Sequence, residues 1–402
     1  MTNTKTHYDI IISGGGLTGA AMALSLFSKS CKPLRIAIVD SADKQQASGG
    51  FDERVIALSY GSAEYLQQLG AWTNLKNDAC AIKNIHVSDR SYYGKARIDS
   101  QDYQLDALGY VAPLQSIASS LYAQLQVSVS KDSVIDEYFA NGIESIDWQR
   151  NQVNVELQQG LQLSAELLLA CDGGHSKCRQ LAKIDTQSKD YGQVAIVANV
   201  KTALPHQHKA FERFSETGPI AMLPMTDNRC SLVWTLSPQQ AQDHMALTDE
   251  EFADTLQAAF GDWLGPFTKI GKRQSFGLKL VHAKQITQHR MALLGNACHT
   301  LHPIAGQGFN LSIRDVACMS SLVSQALKNG EDLGEFALLN AYQQQRMSDQ
   351  KAIIQLTDAL VHCFSNHYLP LVIGRNIGLK ALNYMAGIKA SLANTTMGHI
   401  GS

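Results

Sequence analysis

The chain of 402 residues contains no uninterrupted apolar run near the ~18 residues that a membrane-spanning helix needs. It has no basic run, and a formal net charge of −2 gives no electrostatic case for nucleic acid. No CxxC occurs. Eight cysteines, at positions 31, 80, 171, 178, 230, 298, 318 and 363, are spaced for neither a zinc site nor a small disulfide scaffold. Reduced thiols in a cytosolic protein are the expectation. HExxH is missing too. His299 and His302 stand three apart without a nearby carboxylate, so no metal site is expected. The polar start Met1-Thr2-Asn3-Thr4-Lys5-Thr6 runs directly into a strand, which fits no signal peptide. Internal repeats and low-complexity linkers are lacking. What remains, with 45% hydrophobic and 17% charged residues, is a globular protein with a large core. Its length suggests two intimately joined domains.

The most informative stretch is Tyr8 to Asp40. Asp9-Ile10-Ile11-Ile12-Ser13 reads as a buried parallel strand and leads into Gly14-Gly15-Gly16-Leu17-Thr18-Gly19. An alanine-rich helix follows from Ala20, and then a second apolar run, Arg35-Ile36-Ala37-Ile38-Val39, ends on Asp40. Strand, glycine turn, helix, strand and acid have the spacing of a dinucleotide-binding βαβ unit. Gly14 permits the tight turn, Gly16 admits a pyrophosphate close to the backbone, and Gly19 lets helix and strand approach. The helix N-terminus supplies N–H groups and a positive dipole end for the phosphates. Asp40 can accept hydrogen bonds from ribose hydroxyls.

Further along, several positions support two readings. Arg54 suits a surface ion pair with Asp52 or Glu53, or a guanidinium near a bound diphosphate. Gln115, in the first turn of a helix expected from Leu114 to Leu125, either reaches a ligand or faces water. The strand Leu167–Cys171 ends at Asp172-Gly173, which suits a ligand-facing loop or a helix N-cap. Between Val194 and Leu236, four runs read as antiparallel strands, and Thr248 with Glu251 forms a capping box opening a helix to Phe260. A buried strand from Met291 ends at Gly295-Asn296. The segment to Leu311 then precedes a helix through Arg314. Its Pro303, Gly306, Gln307, Gly308, Phe309 and Asn310 suit an electron-rich flavin edge presented with backbone N–H groups. After Phe336 the chain reads as helical. The apolar stripe from Ile353 to Met385 suits packing against the core, a partner or a membrane surface.

Three of these stretches together carry a family resemblance. Gly14 to Gly19, Cys171-Asp172-Gly173, and Gly295-Asn296 through Asn310 resemble the three fingerprints of the FAD-dependent aromatic hydroxylases, over nearly the whole chain. Phe51 to Ser59, Ile85 to Arg90 and Thr300 to Leu311 are similar to the ubiquinone-biosynthesis branch of that family. The resemblance implies an α/β fold: a FAD-binding Rossmann-like domain (1–74, 100–182 and 278–350), with an inserted mixed or antiparallel β-sheet substrate domain (75–99 and 183–277). A helical C-terminal segment, 351–402, completes it. It also implies that Gly14, Gly15, Gly16, Leu17, Thr18 and Gly19 cradle the FAD diphosphate, and that Asp40 holds the adenosine ribose, where Glu is commoner in the family. Arg54 and Gln115 would approach the diphosphate and ribityl chain. Asp172 and Gly173 would lie near the pyrophosphate and the path of NAD(P)H. Asn296, where the family usually has Asp, would bond a ribityl hydroxyl, and Pro303 to Asn310 would line the flavin ring.

The implied chemistry is hydroxylation of a polyprenylated methoxyphenol by O2 with NAD(P)H as transient co-substrate, through a flavin C4a-hydroperoxide. No protein nucleophile is required; His302 and Pro303 are the catalytic candidates, and His299 and His302 suit phenol or flavin contacts or structural roles. Competing readings are a sibling hydroxylase, a halogenase or prenyl reductase, and a non-catalytic flavin-binding component of a biosynthetic complex. Trp72, Trp148, Trp234 and Trp263 are too dispersed for the Trp-x-Trp-x-Ile-Pro of a halogenase. A prenylated substrate implies delivery from a membrane or a ubiquinone-biosynthesis complex, with the C-terminal helices as the contact. The expected setting is cytoplasmic, peripheral to the inner membrane.

Overall fold

A computed structural model describes residues 6–43, 50–89, 95–300 and 307–364 of the chain. Five strands form a parallel layer, four of them built on apolar runs. Their order is Met291–Leu293, Gln162–Ala170, Thr6–Ser13, Arg35–Val39, Val134–Tyr138. Ile10, Ile11 and Ile12 lie opposite Leu167, Leu168 and Leu169, and all six are fully buried. Burial on both faces is why these strands read as continuous apolar runs rather than alternating ones. The helix Leu17–Lys29 packs beside Leu114–Ser128 and Gln307–Asn329. A hairpin, Ile143–Trp148 with Val153–Leu157, extends the layer along the first half of Gln162–Ala170.

The second sheet runs His299–Thr300, Gln274–Ala283, Thr186–Thr202, Arg229–Leu236, Gly218–Met225, Lys209–Ser215, Asn84–Asp89, Lys95–Asp99. It is mixed: Lys209–Ser215 and Asn84–Asp89 are parallel, and the other pairs are antiparallel. On one face Ile196, Phe211, Ile220, Met222, Leu232 and Trp234 pack against Phe252, Leu256 and Phe260 of the helix Asp249–Phe260. That helix opens with the expected Thr248–Glu251 capping box. On the other face Ala210, Leu223 and Met225 meet Val55, Ile82 and Val111 of a small third sheet (Val55–Ser59, Gly109–Pro113, Cys80–Ile82). Asn199 fastens the contact, donating from Nδ2 to the carbonyls of Phe51 (2.9 Å) and Glu53 (2.7 Å).

Some expected boundaries move. The helix from Leu114 continues to Ser128. The strand from Met291 stops at Leu293, and Gly295–Ala297 is a 3-10 turn. Gln307, Gly308, Phe309 and Asn310, expected in a loop, lie in the first turn of the helix Gln307–Asn329. Gly308 and Asn310 read as breakers. Phe309 nevertheless starts a stripe with Ile313, Val316 and Ala317, at i, i+4, i+7 and i+8, that packs on the core. The helix Phe336–Phe364 takes up the start of the C-terminal segment, and residues 365–402 fall outside the described residues. Among the described residues no helix is long and apolar enough to cross a membrane.

Candidate functional site

The glycine turn is built by exclusion. Gly14 has φ +102°, and a Cβ there would strike the Cys171 carbonyl and meet Asp172 N at 2.9 Å. A Cβ on Gly19 would strike the Gly14 carbonyl, so helix and strand meet backbone to backbone. Gly16 differs: a Cβ there meets nothing within 4 Å. It is the N-cap of Leu17–Lys29 and gives no side-chain cap, so the first-turn N–H groups at Leu17, Thr18 and Gly19 have no intrahelical acceptor. Asp40 holds the turn from its far side. Its Oδ2 accepts from Gly15 N (2.6 Å) and its Oδ1 from Ala42 N (2.8 Å). Tyr122 Oη donates to the Gly15 carbonyl (2.7 Å).

Asp172 and Gly295-Asn296 come to the same place. Gly14 abuts Cys171 and Asp172, and a Cβ on Gly295 would lie 2.9 Å from Thr18 Oγ1. The N-cap of the helix Lys177–Leu181 is Ser176, so Asp172 is not the cap. Its Oδ2 accepts from Cys178 N (3.0 Å), while its Oδ1 is sealed from solvent with no hydrogen-bond partner. Gly173, at φ +79°, leaves open space beside it. Asn296 is exposed in a turn whose neighbours Gly295 and Ala297 are buried. Arg179, unremarked in the sequence, ties the two loops together by donating to the carbonyls of Ala297 (2.7 Å) and Gly174 (2.8 Å).

Arg54 and Gln115 are brought close together, the Leu114 N–H donating to the Arg54 carbonyl (2.8 Å). Arg54 is exposed, and the expected ion pair does not form among the described residues. Asp52 accepts from Lys272 N (2.7 Å), and Glu53 pairs with Arg229 (2.9 Å). Gln115 is half-buried in the first turn of its helix. Asn310 does not aim its amide outward. Its Oδ1 accepts from Ser59 N (2.8 Å) and its Nδ2 donates to the Ala57 carbonyl (3.0 Å). Phe309 packs on the core, and Gly308 faces open space. His302, Pro303 and Gly306, with the Gln307 side chain, lie outside the described residues.

Beneath Gly295 lies a charge network that sequence reasoning missed. His299 has no carboxylate near it in sequence, but Asp315 supplies one from the next helix, with Nε2 to Oδ2 at 3.0 Å. Both side chains are wholly buried. Asp315 Oδ2 also accepts from Gly295 N (3.0 Å), and its Oδ1 accepts from Arg346 Nε (2.7 Å) and Gln350 Nε2 (3.1 Å). Burial opposes its charge, but Arg346 and His299 overcome that and hold the carboxyl at about 2. Arg346 and Gln350, one helical turn apart, were the available signal. Their target could not be read from spacing.

These features fit FAD: an open glycine face on an uncapped helix end, an orphaned carboxylate oxygen, and an exposed amide on a rigid turn. Fold and site define a FAD-dependent monooxygenase. Residues 7–357 match the family described as FAD binding domain, and the chain belongs to that family. It is 32% identical to ubiquinone hydroxylase UbiL of Rhodospirillum rubrum, over 97% of this chain and 89% of that protein. It is 31% identical to the mitochondrial ubiquinone biosynthesis monooxygenase COQ6 of Mus musculus, over 97% and 91%. Its fold is similar to that of p-nitrophenol 4-monooxygenase PnpA from Pseudomonas putida, with TM-score 0.80 at 15% identity over 98% and 99% of the two chains. PqsL of Pseudomonas aeruginosa gives 0.77 at 21% identity over 94% and 100%.

Proposed function

We propose that the chain hydroxylates a polyprenylated methoxyphenol in ubiquinone biosynthesis, consuming O2 and NAD(P)H. The observation that carries this reading is the near-full-length similarity to two proteins named for that chemistry. The meeting of the glycine turn with Asp172 at Gly14 and with the Gly295-Asn296 turn at Thr18 supports it. Gly14 to Gly19 would hold the FAD diphosphate, with Asp40 at the ribose, Arg54 and Gln115 at the diphosphate and ribityl chain, and Asp172, Gly173 and Asn296 alongside. Pro303, Gly306, Gln307, Gly308, Phe309 and Asn310 would border the ring. Bound FAD supplies a hydride acceptor for NAD(P)H and the means of activating O2. The protein's part is to orient the phenol and exclude water. Segments 1–74, 100–182 and 278–350 would form the FAD-binding domain, with 75–99 and 183–277 as the substrate domain.

The prenyl tail requires delivery from a membrane or a partner complex, and residues 351–402 are the proposed contact, placing the protein at the cytoplasmic side of the inner membrane. Loss of vesicle or partner association on deleting 370–402 is expected; unchanged association removes that part. For the reaction, NADPH oxidation by the FAD-loaded protein is measured with and without a short-chain methoxyphenol, and the product is identified. Stimulated oxidation with a hydroxylated product is expected. Bound FAD without stimulation by any phenol would instead favour a non-catalytic component of the complex.

A further inference from the structure

The second sheet has two unlike faces. Phe211 points into the helix-covered core, so by strand alternation Ala210, Glu212 and Phe214 point the other way. Cross-strand register places Val87, Ala221, Val233 and Asn199 on that same face. It is turned toward the third sheet and the residues that precede it. Ala210 packs on Val55 and Val111, and Asn199 bonds the backbone of Phe51 and Glu53. The strand beginning at Val55 is held at Ala57 and Ser59 by Asn310.

Glu212 is out of place there. Its cross-strand partners are Ala221 and Val87, and its Oε1 is sealed with no hydrogen-bond partner, although the residue as a whole is only half-buried. Lys95, Arg97, Lys209 and Arg213 lie on the opposite face by the same alternation. On its own face, Asp89 stands beside Phe214, and Lys201 and Arg229 lie at the far end, Arg229 paired with Glu53. Asp358, on the helix that touches this sheet, is paired with Lys189. Among the described residues no hydrogen bond or ion pair accounts for the Glu212 carboxylate.

Resting on the aromatic-hydroxylase reading above, we propose that Glu212 is a catalytic residue that accepts the hydrogen bond of the substrate's ring hydroxyl and takes its proton as the ring is oxygenated. The phenolic O–H bond breaks, its electron pair stays on oxygen and enriches the ring, and the proton passes to Glu212. One atom of O2 becomes the new hydroxyl; the hydrogen displaced from that ring carbon leaves as a proton to the other, which departs as water on the two electrons of NAD(P)H, and the carboxylic acid returns the phenolic proton to the oxygen it came from. Burial raises the Glu212 carboxyl to about 7, closer to a phenol than an ordinary carboxylate and still partly ionised at neutral pH. A methyl ether at the same ring position would leave the carboxylate unpaired, so the site selects a free hydroxyl.

The test compares binding of a short-chain methoxyphenol and its methyl ether to FAD-loaded protein, followed by the flavin absorbance change from pH 5.5 to 9. In the wild type, phenol should be preferred by about tenfold or more at high pH, with the preference fading as pH falls through about 7. Glu212→Gln should flatten that profile and lower kcat on the order of 10²–10⁴-fold, with FAD content unchanged. Glu212→Asp should keep the pH dependence with lower kcat, which a merely structural role would not produce. Identical profiles in wild type and Glu212→Gln would overturn the assignment while leaving the hydroxylase reading intact. A wild type that binds no phenol and oxidises no NADPH in response overturns both.

Discussion

Two carboxylates sit inside this protein in opposite conditions. Asp315, under the Gly295 turn, accepts from four donors and is held at about 2. Glu212, on the sheet face, has an orphaned oxygen and is pushed up to about 7 by burial. A buried charge with every lone pair engaged belongs to the architecture, because the fold itself compensates its desolvation. One left without partners is costly to the fold and points to a group that arrives from outside.

The largest effect should follow from removing the satisfied charge. Asp315→Ala strands His299 and the Gly295 N–H, leaves Arg346 paired only with Asp349 (2.8 Å), and should lower stability by roughly 3–5 kcal/mol in urea unfolding. The Asn296 turn loosens with it, so FAD release should follow. The pH response has a defined sign. Because Asp315 titrates lower in the folded chain than the ordinary 3.8, its contribution is complete above about 4 and is lost as pH falls through 2. Wild type should therefore lose stability over that window more steeply than the variant. Parallel curves would show that the network is not formed in solution.

How far the sequence foreshadows this depends on the kind of interaction. Backbone requirements were readable: Gly14 and Gly19 have no room for a side chain, and the Thr248–Glu251 capping box formed as expected. Apolar runs gave the parallel strands because burial on both faces leaves a composition that says so. Partners distant along the chain were not readable. Arg179 reaches Ala297 across 118 positions, and Arg346 reaches Asp315 across 31. Glu212 was hidden for another reason. An acid in a strand reads as solvent-facing, and only the three-sheet packing shows which face is covered. Gln307 to Asn310 look like loop in the sequence because two breakers mask the stripe beginning at Phe309.

Next in size, Glu212→Gln should stabilise the substrate-free protein, the reverse of the Asp315 result. The folded carboxyl titrates near 7 against an ordinary 4.5, so wild-type stability is complete below about 4.5 and declines as pH rises through 7. The amide has no charge to desolvate. A gain on the order of 2–3 kcal/mol at pH 8, vanishing near pH 4, is expected from thermal melts at the two pH values. A loss at pH 8 would mean that the carboxylate is satisfied in solution, and the contrast with Asp315 would collapse.

The smallest effect on the fold should come from Gly16, which is neither charged nor crowded. A methyl group there meets nothing within 4 Å, whereas the same change at Gly19 strikes the Gly14 carbonyl. Gly16→Ala should therefore leave the apoprotein's stability within about 0.5–1 kcal/mol of wild type, as for a glycine change in an unstrained backbone. Yet on the proposed reading the methyl would occupy the face where the diphosphate approaches the helix end, with the N–H groups there as the anion's donors. FAD affinity should fall roughly tenfold or more, equivalent to about 1.4 kcal/mol, in a flavin-quenching titration. Stability and affinity would then separate at one residue, as they do between the two carboxylates. If Gly16→Ala binds FAD like wild type, the diphosphate does not rest on this turn.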